Sequence, residues 1–183
     1  NNVSLCMNGT SALDIAIKTL KIKNGDEILV PSITFIAPVN TIRYNNCSPI
    51  FFDCDEYCNI DINKFIEFIK TNTFMKNKIT YNLRTKKRIS AIILVHVFGN
   101  AVDIERVVNL CKRRNIKIIE DASESLGTYY TKGKFKKKFT GTIGDIGCFS
   151  FNGNKIITSG AGGAIVSKNK KLILEAKYLI NQA

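Results

Sequence analysis

The chain has 183 residues, 45% of them hydrophobic, enough for one domain with a sizeable core and ordinary for a globular protein. It contains no apolar stretch long enough to cross a bilayer as a helix. A net charge of +12 admits nucleic acid, a membrane surface or anionic small molecules as partners, but much of it lies in Lys86-Lys87-Arg88 and in 132–138 (KGKFKKK), without interleaved aromatics to stack bases; solvated loops are expected, and neither nucleic acid nor membrane as a partner.

Residues 8–22 place apolar side chains at 12, 13, 16, 17 and 20, the spacing of a helix. Gly9, Thr10 and Ser11 open it, and free N–H groups and hydroxyls at a helix start suit a phosphate. Capping by Asn8, Thr10 or Ser11 accounts for the same residues. Asn24-Gly25-Asp26 turns the chain, 27–30 form a short strand ending in Pro31-Ser32, and 34–44 read as a helix with Pro38 in its early turns. A strand over 49–53 precedes a helix over 61–70, with Asp61 as N-cap and apolar residues at 62, 65, 66 and 69. Residues 71–88 are polar and basic, a surface hairpin or loop.

Residues 89–97 are continuously apolar, as expected of a parallel strand covered on both faces, and Gly99-Asn100 breaks the run. An amphipathic helix over 103–114 leads to a buried strand over 116–120 that closes on Glu120-Asp121. The apolar run 146–151 enters a polar turn holding one lysine, Lys155; glycines follow at 160, 162 and 163, then a strand over 164–167 and a closing helix over 170–179.

Strand and helix alternate throughout, which predicts an α/β layered fold with a parallel sheet. Ligands of such folds bind at the carboxyl ends of the strands, where Pro31-Ser32, Gly99-Asn100 and Asp121 fall. Lys155 is flanked by uncharged residues. Burial would make its amine a nucleophile of the kind that forms a Schiff base; the competing reading is a surface lysine in a hairpin turn. A helix start suited to phosphate, a strand-end carboxylate and an isolated lysine are together what a pyridoxal phosphate site requires. Cysteines at 6, 47, 54, 58, 111 and 148 include no C-x-x-C pair and none lies close in sequence to the single histidine, His96. No metal site is therefore expected, and the thiols read as reduced in a cytosolic protein. His96 itself reads as a hydrogen-bonded structural residue at a strand end. The polar opening on Asn rather than Met predicts no signal peptide, and a fragment or trimmed chain.

The segments NGTSALDIAI, GDEILVPSITFIAPVNTI, PIFFDCD, VHVFGNAVDI, IEDASESLG and GTIGDIGCFSFNGNKIITSGAGG span nearly the whole chain. Together, and in this order, they resemble the fold-type I, pyridoxal phosphate (PLP)-dependent sugar-nucleotide aminotransferases of the DegT/DnrJ group. FNGNKIIT and VHVFGN are most similar to the branch acting on 4-keto-6-deoxy N-acetylhexosamine nucleotides.

The resemblance implies a three-layer α/β/α large domain like that of aspartate aminotransferase, with a mainly parallel sheet. Residues 1–183 would form most of that domain, without an N-terminal segment or the C-terminal small domain. It implies a cytoplasmic homodimer using pyridoxal 5'-phosphate, with a nucleotide sugar and glutamate as substrates, in polysaccharide or glycan biosynthesis. Lys155 would form the Schiff base and shuttle a proton; Asp121 would pair with the pyridine nitrogen; Glu124 would sit near the phenolic oxygen, where many relatives have glutamine. Phe35 would stack on the ring, its alternative being plain core. Gly9, Thr10 and Ser150 would hold the phosphate, with Ser11 as an addition. Relatives that are sugar dehydratases have histidine in place of the lysine, and Lys155 argues against that reaction. A basic α/β binding module and a catalytically dead remnant are the other readings of the chain.

Overall fold

The computed structural model describes residues 2–181. A seven-stranded sheet has the order β1-β9-β8-β7-β6-β2-β3. Its strands are β1 Val3–Cys6, β2 Glu27–Pro31, β3 Ser48–Phe52, β6 Ile89–Val95, β7 Lys117–Asp121, β8 Ile146–Ser150 and β9 Gly163–Val166. A separate hairpin pairs β4 Thr73–Lys76 with β5 Ile79–Asn82. The helices are α1 Gly9–Thr19, α2 Ile36–Tyr44, α3 Ile62–Thr71, α4 Ile104–Arg114 and α5 Lys170–Asn181. β3, β2, β6, β7 and β8 run parallel; β9 returns antiparallel to β8, and β1 pairs antiparallel to β9.

The central strands β2, β6, β7 and β8 are buried at all but one position because both faces are covered. In β6, Ala91, Ile93 and Val95 join the core with α1, α2 and α5, while Ile92 and Leu94 join the core with α3 and α4. Ile92, Ile93 and Leu94 are fully buried, worth about 1.5–3 kcal/mol each. The architecture is thus three-layered, α/β/α, with a mostly parallel sheet, as the alternation of elements predicts.

The same alternation positions the functional side chains. In β7, Ile119 packs toward α1, so Asp121, two residues on, faces that side, and Glu120 faces the other with Ile118. In β8, Ile146 and Cys148 pack toward α1, which puts Ser150 on the face shared with Asp121 and with the start of that helix.

Boundaries differ from expectation in a few places. The first helix stops at Thr19 rather than 22, because Lys21 takes a left-handed conformation with φ of 53°. The second starts at Ile36 rather than 34, because Phe35 is extended (φ −61°, ψ 152°). The basic stretch 71–88 contains a twisted hairpin whose tip, Asn77-Lys78, has positive φ at both positions, the pattern of a type I′ turn. The six cysteines are free; Cys47, Cys111 and Cys148 are buried, Cys6 and Cys58 are partly buried against the core, and Cys54 is partly exposed.

Candidate active site

A cavity of about 510 Å³ opens at the carboxyl ends of β2, β6, β7 and β8. This is where the strand order reverses between β2 and β6, the expected ligand position of an open α/β sheet. Gly9, Thr10, Phe35, Asp121, Glu124, Ser150 and Lys155 all line it. Ser11 does not line the cavity: its N–H donates to Asn8 Oδ1 at 2.8 Å.

The helix start therefore divides its roles. Asn8 is the cap, taking the Ser11 N–H on its side chain and the Ala12 N–H on its carbonyl at 3.0 Å. The N–H groups of Gly9 and Thr10 are left at the helix end, aimed with the positive end of its dipole into the cavity. Gly9 is glycine for a steric reason: a Cβ there would sit 2.9 Å from Ser150 Cβ and 3.1 Å from Ser123 Oγ. Gly163 answers the same need on β9, where a Cβ would collide with the Asn8 carbonyl. The helix start is thus pressed against β8 and β9.

Asp121 is 6% exposed. Burial pushes its carboxyl above the usual aspartate value, and hydrogen bonds from Ser123, together with the charge of Lys155, pull it down only in part. Lys155 lies in the β8–β9 connection, so its place in a turn is as the competing reading has it, but its side chain is only 14% exposed and lines the cavity. Its Nζ stands 3.7 Å from Glu124 Oε1 and 6.0 Å from the centre of the Phe35 ring. Phe35 is not core: it is 70% exposed, an apolar plate beside the lysine.

Glu124 has a second tie. Its Oε2 accepts from the Phe98 N–H at 2.9 Å, and Phe98 is held at φ 53° with its ring 77% exposed on the cavity wall. A bulky residue rarely takes that conformation, and no glycine at 98 signals it in the sequence. Sequence reasoning also misses Thr34, whose hydroxyl lines the cavity buried and without a protein partner. Ser123, Asn152 and Asn154 complete the polar lining.

Behind the cavity, Glu120 and His96 are fully buried. His96 Nδ1 accepts from the Val102 N–H at 3.2 Å, which leaves Nε2 as the donor to Glu120 Oε2 at 3.1 Å. Glu120 also accepts from the N–H groups of Gly141, Ile143 and Gly144 at 2.9, 2.7 and 2.6 Å. Burial alone would push Glu120 up, but these hydrogen bonds outweigh it and hold the carboxyl below its usual value. His96 is thereby structural, locking the 141–144 loop beneath β7. Glu120→Ala leaves several buried donors unmatched and is expected to destabilise the protein by about 3–5 kcal/mol. The urea midpoint, at unchanged slope, reads this directly.

The residues present fit a pyridoxal phosphate. Two free helix-end N–H groups and the Ser150 hydroxyl suit the phosphate, a buried carboxyl suits a cationic ring nitrogen, an exposed ring suits a flat heterocycle, and an orphaned hydroxyl awaits a polar ligand.

Comparison with known proteins agrees with that fit. The model of the DegT/DnrJ/EryC1/StrS aminotransferase family matches residues 2–183. GDP-perosamine synthase of Escherichia coli O157:H7 is 39% identical over 165 residues, covering 90% of this chain and 40% of that protein. A DegT/DnrJ/EryC1/StrS aminotransferase from Brucella abortus superposes with a TM-score of 0.83 at 28% identity, over 96% of this chain and 44% of that one. NtdA of Bacillus subtilis, solved with bound cofactor PMP, superposes with a TM-score of 0.76 at 25% identity, over 96% of this chain and 35% of that one. The chain spans about two fifths of the length of the relatives it matches.

Proposed function

Because this chain belongs to the DegT/DnrJ/EryC1/StrS aminotransferase family, we propose that residues 1–183 are the incomplete large domain of a longer, PLP-dependent transaminase acting on a nucleotide-linked keto sugar. The proposed reaction converts a 4-keto-6-deoxy sugar nucleotide to its 4-amino sugar, with glutamate as donor, in the cytoplasm, for glycan biosynthesis. The carrying observation is Lys155 folded into one cavity with Asp121 and the open start of α1.

When bound, the cofactor supplies an electron sink for the carbon that gains or loses the amino group. The chain's residues do the rest. The N–H groups of Gly9 and Thr10 and the Ser150 hydroxyl would hold the phosphate. Asp121 would keep the ring nitrogen protonated, and Phe35 would offer its ring face to the heterocycle. Lys155 Nζ would carry the proton to and from the reacting carbon. Glu124 pairs with that amine and ties it to the turn that carries Phe98.

Homodimerisation is part of this reading. Ile33, Phe35, Ile36, Phe98, Ile156 and Ile157 are each at least 47% exposed. Apolar surface of that kind calls for a cover by a second subunit or by the rest of the chain.

The sugar has two candidate forms. The segments FNGNKIIT and VHVFGN support an N-acetylhexosamine nucleotide, while the E. coli relative is named for GDP-perosamine. The test supplies full-length protein and PLP with glutamate and either a UDP-linked 4-keto-6-deoxy N-acetylhexosamine or a GDP-linked 4-keto-6-deoxyhexose. Glutamate-dependent formation of one amino sugar is expected, seen by mass. No 2-oxoglutarate with either substrate would overturn the reading.

A further inference from the structure

The +12 charge is gathered rather than spread. Between Glu67 and Asp103 the chain carries seven Lys and Arg and no acid. The β4–β5 hairpin displays Lys76 and Lys78 at its tip, and Lys86 and Lys87 follow in the next loop. Thr80 Oγ1 donates to the Arg114 carbonyl at 2.6 Å and Asn115 Nδ2 to the Lys78 carbonyl at 3.1 Å. These two bonds fasten the hairpin to the end of α4 and bring Lys112 and Arg113 alongside. All six cations are exposed, and none forms an ion pair among the described residues.

Lys112 and Arg113 have an ordinary explanation, since cations in a last helical turn offset the dipole. The four on the hairpin and its loop have no helix end to offset. Met75 and Leu83 of the same segment are each 41% exposed, and Met75 lies across from Thr80, on the hairpin face turned to the end of α4 where Lys112 and Arg113 stand. Phe74 and Tyr81 stack on each other at 5.5 Å and 21°, and Lys86 Nζ lies 5.6 Å over Phe74. The patch sits where β6 begins, and the cavity where it ends, about 20 Å away along seven residues.

We propose that this end of the molecule docks on an anionic membrane surface, with the lysines on lipid headgroups and Met75 and Leu83 at the acyl boundary. The mixture of unpaired cations with exposed aliphatic side chains favours a bilayer over nucleic acid. The inference does not depend on the reaction at the other end.

The test sediments the full-length holoenzyme with phosphatidylcholine vesicles, with or without phosphatidylglycerol, at physiological salt. Binding is expected only with phosphatidylglycerol and is lost at high salt. The combined variant Lys76→Glu, Lys78→Glu, Lys86→Glu and Lys87→Glu is expected to weaken binding by roughly 100-fold or more, at about fivefold per cation, with turnover unchanged. If that variant misfolds, the four Lys→Gln changes serve in its place. Met75→Ser with Leu83→Ser is expected to lower binding several-fold further. No binding to phosphatidylglycerol vesicles, undiminished binding by the charge variants, or tighter binding to duplex RNA or to an acidic protein than to vesicles would each overturn the proposal.

Discussion

Replacing Lys155 with alanine in the full-length protein is expected to abolish the visible absorption of covalently held PLP and to lower turnover by roughly 10²–10⁴-fold. The expectation rests on placement. The amine is reached from the cavity, its side chain is 14% exposed, and Glu124 and Phe35 hold it from two sides. Among the described residues no other lysine lines that cavity, so none is placed to substitute. Alanine removes a long side chain from a wall rather than from the core, and the variant is expected to melt close to the parent without PLP. A Lys155→Ala protein that kept the parent's visible spectrum would remove the residue from the chemistry.

Asp121→Asn is expected to act in opposite directions on stability and function. Burial raises the folded carboxyl above its ordinary value, so across the interval between the two the folded chain binds more protons than the unfolded one. Stability of the cofactor-free protein therefore falls as pH rises through that interval, and above it the cost of the buried charge is borne in full. An uncharged asparagine of the same shape avoids that cost. The cofactor-free variant should melt higher than the parent at neutral pH and show a weaker pH dependence, measured by calorimetry.

The functional side runs the other way. A buried carboxylate facing a ligand's cationic nitrogen is compensated only when that ligand is bound. The gain in melting temperature on adding PLP should shrink in Asp121→Asn, and turnover should fall by at least roughly 10²-fold. An asparagine variant with lower cofactor-free stability and full PLP response would show that Asp121 serves the fold and not the site.

The meeting of Asp121 and Lys155 in one cavity was legible in the sequence because residue types are informative where a strand ends. An acid after the apolar run of β7 and a lone lysine after that of β8 have few structural uses. The helix start was legible only in part. Asn8, Thr10 and Ser11 all suit a cap or a phosphate, and the structure separates them by giving the cap to Asn8 and facing Gly9 and Thr10 into the cavity. β1 escaped notice because Val3–Cys6 is too short to show a period and gains its place from a partner near the other end of the chain. Phe98 escaped because its left-handed backbone is imposed by a hydrogen bond to Glu124, a tertiary contact across 26 positions. The charge of Lys86-Lys87-Arg88 was legible, but not its meeting with the end of α4, which depends on the Thr80–Arg114 and Asn115–Lys78 contacts.

The pairing of β1 with β9 sets the order in which the pocket can be completed. Val3 lies opposite Val166 and Cys6 opposite Gly163, so this ladder closes the largest loop in the sheet and meets the greatest chain-closure entropy. Lys155 rides on the connection that enters β9. During synthesis the sheet from β2 to β7 can assemble while later residues are still being added, but the lysine's side of the pocket is anchored only once β8 has joined β7 and β9 has folded back on β8. A ribosome-bound fragment that stops at the end of β7 thus presents the acid without the amine.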